Sequence, residues 1–320
     1  SKDDQDGHAR IPVTTSATAP AFVALINSLR AGLDVRQSFS SADNYQNREN
    51  WGLTSRIEYE AEAFDFISLT SYRDNDYGWR DNLGGLTFPA FPLLVDDRAD
   101  EAASQFSQEF RLTSNDSSPF QWVAGLFYFD EQIDRAETFI TQTALPIAPP
   151  SFGGDVTFLQ DATNTSYAAF GQATFEFADI WELTFGARWT HDKREVRQVA
   201  LNNDTTGAPP PGIPLGPTGG PYAVSAEETF EEPTWRLALA VEPVEDVRFY
   251  VSYDRGYKAG AFPSAAQNAA QAATPIRSEI LDNYEIGAKT TFWDNRVRFN
   301  AAAFMLDYTD LQVNELLGLT

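Results

Sequence analysis

Amphipathic stretches of about ten residues recur from Trp51 to Leu317, and the gaps between them alternate strictly between short and long. Roughly ten residues is the length a tilted β-strand needs to cross a bilayer. The short gaps fall at Ala61–Ala63, Asn115–Pro119, Ala178–Ile180, Pro243–Asp246 and Trp293–Asn295. The long, polar ones fall at Asn75–Ala103, Asp134–Asn164, Arg197–Glu228 and Lys258–Glu279. Short periplasmic turns at one end and long extracellular loops at the other are how an outer-membrane barrel is built. The expected fold is all-β: a transmembrane antiparallel β-barrel, of which about ten strands are visible here.

Within the stretches, charge keeps to one parity. Trp181, Leu183, Phe185, Ala187 and Trp189 oppose Glu182, Thr184 and Arg188; Tyr284, Ile286, Ala288 and Phe292 oppose Asn283, Glu285 and Lys289. Side chains alternate across a strand, so one face is apolar and the other polar. A soluble sandwich has the same period, with its apolar face in a core. Two features favour lipid. The polar face carries opposite charges together, Arg188 with Glu182 and Glu285 with Lys289, as a wet lumen would. Aromatics also bracket the apolar bands, Trp51 with Tyr59 and Trp181 with Trp189, in the manner of interfacial girdles. Phe64–Arg73 and Phe120–Asp130 are apolar on both parities. Contact with something in the lumen, or burial in a soluble sheet, would each explain them.

Composition excludes several alternatives. The chain has 320 residues, no Cys, and a net charge of −23 from 46 acidic and 23 basic side chains. That balance argues against a nucleic-acid partner, and the missing Cys removes disulfides and thiolate chemistry. No run of eighteen apolar residues offers a membrane helix. Ser1–Arg10 has no signal-peptide pattern. Residues 1–50 read mostly as an extracellular loop with a short helix at Ala21–Ala31, and Gly207–Pro221 reads as an exposed Pro/Gly loop.

The segment from Phe249 to Val313 resembles the barrel of TonB-dependent receptors. Tyr253, Gly256, Tyr257, Lys258, Gly260 and Phe262 are similar to the family's Y-x-x-G-Y-K-x-G-x-F stretch. Tyr284, Glu285, Gly287 and Lys289 resemble its Y-E-x-G-x-K strand, Asp294, Asn295 and Arg296 its D-N-R turn, and Tyr308, Asp310 and Gln312 its Y-x-D-x-Q. Ser107–Ser114, Trp122–Phe129 and Leu183–Arg194 are similar to earlier strands of the same wall. The resemblance implies a barrel of about 22 strands around a plug domain. Plug, TonB box and last strands are not in the chain, so residues 1–320 read as a partial barrel domain. It further implies the outer membrane of a Gram-negative bacterium and import of a scarce nutrient, most often a ferric siderophore. The TonB complex would drive this through the plug. Import changes no bond in the substrate, which agrees with the absence of catalytic fingerprints.

The motif residues read as structural. Gly256, Gly260 and Gly287 would permit close backbone approach or strand bending. Glu285 and Lys289 would form an ion pair or network in the lumen, and Asp294–Asn295 suit a tight turn. Candidate ligand contacts are Arg73, Tyr77, Trp79 and Arg80, with Phe88 and Phe91, where rings and cations share a loop; loop packing is the simpler reading of them. His191 is a further candidate, or a solvated residue at a loop base. Glu227, Glu228, Glu231 and Glu232 read as loop charge ahead of a strand. No metal-ligand spacing and no cofactor motif appears. A passive porin and a soluble acidic carbohydrate-binding β-protein are the alternatives.

Overall fold

Twelve strands form one antiparallel sheet in the computed structural model, which describes residues 2–6, 44–82, 87–88, 91–115, 118–143, 153–206, 220–294 and 296–313. They are β1 (Lys2–Asp6), β2 (Tyr45–Glu60), β3 (Phe64–Asn82), β4 (Thr87–Phe88), β5 (Phe91–Ser114) and β6 (Phe120–Thr143). Then follow β7 (Gly153–Phe177), β8 (Trp181–Thr206), β9 (Tyr222–Val244), β10 (Val247–Lys258), β11 (Glu279–Phe292) and β12 (Val297–Thr309). The order is sequential from β1 to β12, except that β4 pairs only with β5 and β3 pairs past it. The ten strands expected from the alternation are all present, and β1 and β4 are additional.

The short connections fall where the sequence puts them. Tight turns between right-twisted strands need residues in the left-handed region, and Ala178, Asp179, Asp246, Trp293 and Asp294 all have positive φ. Asp tolerates that region better than most non-glycine residues. Asn295 lies outside the described residues.

The long side is different from the expectation. β5 to β9 run for 24, 24, 25, 26 and 23 residues, about 80 Å of chain at roughly 3.3 Å per residue. Much of what reads as loop in Asn75–Ala103, Asp134–Asn164 and Arg197–Glu228 is therefore strand rising beyond the bilayer. No lipid meets the strands there, and polar Asp96, Thr138 and Gln198 are buried alongside Val156 and Phe158, so the apolar alternation fades. What remains is β-propensity, as in Thr138–Ile140 and Val156–Phe158. Within residues 1–50, Lys2–Asp6 and Tyr45–Asn50 are likewise strand. The helix expected at Ala21–Ala31 and nearly all of Gly207–Pro221 lie outside the described residues. β10, β11 and β12 stay short, at 12, 14 and 13 residues.

Register turns strand-by-strand alternation into two continuous surfaces. On one, Trp51 meets Tyr72 (ring centroids 5.2 Å), Phe106 meets Tyr128 (6.1 Å), Tyr128 meets Tyr167 (5.1 Å) and Tyr253 stacks on Tyr284 (4.9 Å). These rings draw an upper girdle. A lower one contains the Phe175–Phe177–Trp181 stack at 5.8 and 6.3 Å and the Phe292–Trp293 pair at 5.6 Å. Between them Leu53, Ile57, Leu126, Phe185, Val251 and Ile286 are exposed. From Trp181 to Trp189 is about 26 Å along β8, close to the height of a bilayer's apolar band. This face meets lipid.

The opposite face carries paired charge: Arg248–Glu182 at 2.6 Å, Arg236–Asp254 at 2.8 Å, and Arg111 with Glu109. The stretches apolar on both parities put Ile67, Leu69, Val123, Phe127 and Phe129 on this lumen face, by the register of β3, β5 and β6. The guanidinium of Arg188 lies 5.4 Å from the Phe127 ring and 5.7 Å from the Phe170 ring, a cation–π seat inside the lumen. Gly125 makes room for it, since a Cβ there would come 2.4 Å from Phe170 Cζ.

Candidate functional site

The lumen face of β2, β3 and β5 above the upper girdle gathers three of the candidate ligand residues. Arg73, Tyr77 and Trp79 alternate along β3 on that face, opposite Gly52, Arg48 and Gln46 of β2. Arg48 lies 4.6 Å from the centroid of the Tyr77 ring, and Gln46 Nε2 donates to Tyr77 Oη at 2.7 Å. Gly52 leaves space for the Arg73 stem, which a Cβ would approach to 3.2 Å.

The electrostatics of this corner are set by subtraction. Two of its carboxylates have partners, Glu101 with Arg135 at 3.0 Å and Glu131 with Gln105 at 2.6 Å and Asn164 at 2.7 Å, while Asp74 on the same concavity has none among the described residues. Arg73 is exposed and makes no ion pair or hydrogen bond among the described residues. It borders a concavity of about 560 Å³ shared with Asn50, Asn75, Glu101, Gln105 and Glu131. A guanidinium without a partner among the described residues can hold an anionic ligand, and Tyr77, about 13 Å further along β3 with Arg48 on its ring, offers a separate aromatic contact.

The other two candidates stand elsewhere. Arg80 is on the opposite face of β3 by parity, its Nε 2.8 Å from Asp96, a carboxylate only 1% exposed. His191 is within β8, not at a loop base. It faces outward beside Trp189 (6.0 Å) and Tyr167 (6.4 Å), with Nδ1 2.7 Å from Glu231. That is the lipid interface, not the lumen. Glu227, Glu228, Glu231 and Glu232 are likewise strand residues of β9; Glu227 pairs with Lys193 at 3.0 Å and Glu232 with Arg255 at 3.6 Å. Phe88 and Phe91 pair across the β4–β5 hairpin.

The motif residues hold the wall. Glu285 and Lys289 share a face but communicate through Tyr250: its hydroxyl donates to Glu285, and the Lys289 ammonium lies 5.5 Å from its ring centroid. Gly287 sits under that ring, and a Cβ there would come 2.4 Å from it. Gly260 is equally confined, at 2.1 Å from Ile276 O and 2.4 Å from the Phe230 ring. Gly256 is not: its nearest neighbour would be 3.9 Å away, ordinary contact. Tyr257 and Lys258 close the top of β10, Lys258 opposite Glu279, and Tyr284 belongs to the upper girdle. Asp294 has φ +53° in its turn. Two residues missed as functional are Gln198 and Tyr222, whose inward contacts depend on a distant loop. Gln312 had a signal, its place in the Y-x-D-x-Q stretch.

A lipid-facing apolar band, a charged lumen and a tall extracellular rim define a wall segment of an outer-membrane β-barrel. The chain belongs to the TonB-dependent receptor family: the model described as "TonB dependent receptor-like, beta-barrel" matches residues 4–319. Membership places the chain in the outer membrane of a Gram-negative bacterium and sets aside the soluble carbohydrate-binding reading. The pesticin receptors of Yersinia enterocolitica and Yersinia pestis are each 24% identical over 315 residues, covering 97% of this chain and 41% of the relative. The chain thus spans about two fifths of the curated relatives it matches. Among solved structures, the ferric yersiniabactin uptake receptor FyuA from Yersinia pestis superposes with TM-score 0.65 at 18% identity, over 85% of this chain and 38% of that one. The ferric-catecholate import receptor Fiu from E. coli K12 gives TM-score 0.64 at 16% identity, over 96% of this chain and 47% of that one. These likenesses show a shared barrel fold.

Proposed function

We propose that the chain forms part of the wall of a TonB-dependent importer of a ferric siderophore, and that the ligand rests on Arg73, Tyr77 and Trp79 before entering the lumen. The observation that carries the reading is Arg73, without a partner among the described residues, in a chain with twice as many acids as bases, 46 against 23. Ferric chelates with carboxylate or catecholate groups are commonly anionic, and aromatic groups stack on tyrosine and tryptophan. FyuA takes up ferric yersiniabactin and Fiu imports ferric catecholates, which supports a ferric chelate as cargo here. Energy would reach the ligand from the TonB complex through a plug, which is the family's arrangement and outside this chain. A passive porin is the disfavoured alternative, since it needs no ligand seat.

The test is uptake of radiolabelled iron by cells carrying the receptor, across a panel of anionic ferric chelates, in Arg73→Ala and Arg73→Lys variants. Loss of one charge-assisted contact predicts roughly a tenfold weaker half-saturation for Arg73→Ala, with partial recovery in Arg73→Lys. Unchanged half-saturation for every transported chelate would remove Arg73 from the site. Failure to take up any ferric chelate would remove the cargo class.

A further inference from the structure

The segment Ala259–Ser278, between β10 and β11, is tied down at its base and again at its middle. At the base, Ile276 N donates to Ala261 O at 2.7 Å. Gln312 Nε2 donates to Ala259 O at 3.0 Å and Arg277 O at 2.9 Å, and Arg277 pairs with Asp310 at 2.9 Å. Gly260 lets this base press on Phe230 of β9. Asp310 and Gln312 of the Y-x-D-x-Q stretch thus act as a clasp.

The middle tie is stronger. Gln198 of β8 is 0% exposed, and its side chain is the largest fully buried polar one among the described residues. Its Nε2 donates to Pro263 O at 2.9 Å and to Ser264 O at 2.5 Å. The Tyr222 hydroxyl lies 2.8 Å from Gln198 Oε1 and 2.9 Å from Ala266 O, so one proton is shared between two acceptors in reach. Around this knot, Val156, Phe158 and Ala200 form a buried cluster against which Phe139, Tyr222 and Ala265 pack. Every amide hydrogen and the carbonyl of Gln198 is engaged, the state in which a buried amide is rigid rather than costly.

Strand height explains the placement. β9 loses β10 as a partner above the Trp235–Arg255 pair, although it continues up to Tyr222. A loop leaving the short β10 therefore meets the bare inner surface of the taller β8 and β9. The short helix α1 (Ala269–Ala272), capped by Asn268, completes its course.

We infer that Ala259–Ser278 is a fixed strap that fills the β8–β9 side of the extracellular vestibule, with Gln198 its positioning residue, so that ligand is excluded from that sector. The strap is a specificity element by exclusion: it sets the width of the entrance without touching the seat at Arg73. The exclusion of ligand rests on the importer reading, whereas the strap's fixation does not, and the tests read fixation without any ligand.

The receptor in outer-membrane vesicles, free of native Cys in this region, takes a nitroxide at Ala270→Cys on the exposed side of α1 and, separately, a maleimide-polyethylene glycol at Ala200→Cys beneath the strap. The expected result is an immobilised nitroxide and an Ala200→Cys thiol that reacts at least tenfold slower than one on an exposed strand. Gln198→Leu should mobilise the nitroxide and speed the thiol at least tenfold, while the heat-modified gel shift of the folded barrel is unchanged. Tyr222→Phe, which removes only a hydroxyl, should move both readouts in the same direction by less. A mobile nitroxide in the parent receptor overturns the strap. Wild-type readouts in both variants overturn the role of Gln198. Should Gln198→Leu not insert, Tyr222→Phe alone decides.

Discussion

Ala173 is where the assignment of faces is most exposed to refutation. By register it lies between Trp122 of β6 and Phe185 of β8, and Phe185 is midway between the girdle residues Trp181 and Trp189. The levels of Trp181 and Trp189 are then each about 13 Å away along the strand, with Phe175 the nearest girdle ring at about 7 Å. An arginine reaches roughly 6 Å from its Cβ, too little to snorkel to either interface. Ala173→Arg should therefore meet the full midplane penalty of about 2–4 kcal/mol. Its neighbour Gln172 is on the lumen face, where Gln172→Arg adds a charge to water and should cost under about 1 kcal/mol. Reversible urea unfolding of the receptor in phospholipid vesicles measures both. With a denaturant slope of about 2–3 kcal/mol per molar, Ala173→Arg lowers the midpoint by roughly 1–1.5 M. If Ala173→Arg were neutral and Gln172→Arg harmful, lumen and lipid faces would have to be exchanged throughout, because one register links them all.

Three further outcomes follow from local geometry. Gly287→Val drives a side chain into the Tyr250 ring and breaks its bond to Glu285, so it should cost about 2–3 kcal/mol, and nearly nothing in a Tyr250→Ala background. Gly256→Ala, whose Cβ would make only ordinary contact with Leu281 at 3.9 Å, should fall within about 1 kcal/mol of the parent in the same unfolding assay. Burial raises the Tyr222 phenol, so the docked strap favours the neutral form. Its contribution is complete below the free phenol value of about 10 and is lost as pH rises through the raised value. The Ala270→Cys nitroxide should therefore loosen only once pH rises above about 10, and Tyr222→Phe should abolish that step.

How much could be read from the chain depended on whether one face was dry. Leu183, Phe185 and Trp189 face lipid while Thr184 and Arg188 face water, and that contrast located ten strands and five turns. Higher up, Thr157 and Phe158 are still strand, yet polar and apolar residues no longer sort by parity with lipid, because there is none. The same loss of contrast hid His191, which continues β8 at the lipid interface. Among the motifs, Gly287 and Gly256 look identical in sequence. Only the ring of Tyr250, contributed from the paired strand, separates the confined glycine from the free one. Arg73 and Arg80 likewise differ by parity, but parity assigns a lumen side only once β3 is known to continue through Asn82.

The charge balance then has a structural reading. An acid-rich lumen repels anionic chelates unless its carboxylates are neutralised locally. On the β2–β6 side Glu101 shares the Arg135 cation with Glu137, Glu131 keeps its charge among amide donors, and Arg73 on the same concavity has no partner among the described residues. On the β8–β9 side the inner surface is covered by the strap through Gln198 and Tyr222. Within this stretch of wall, an incoming anion therefore meets an open cation at Arg73 on one side and a covered surface on the other. Removing the positive charge and removing the occlusion should therefore have different signatures. Arg73→Ala weakens uptake of anionic chelates alone, whereas Gln198→Leu widens the range of ligand sizes admitted and leaves their charge preference intact.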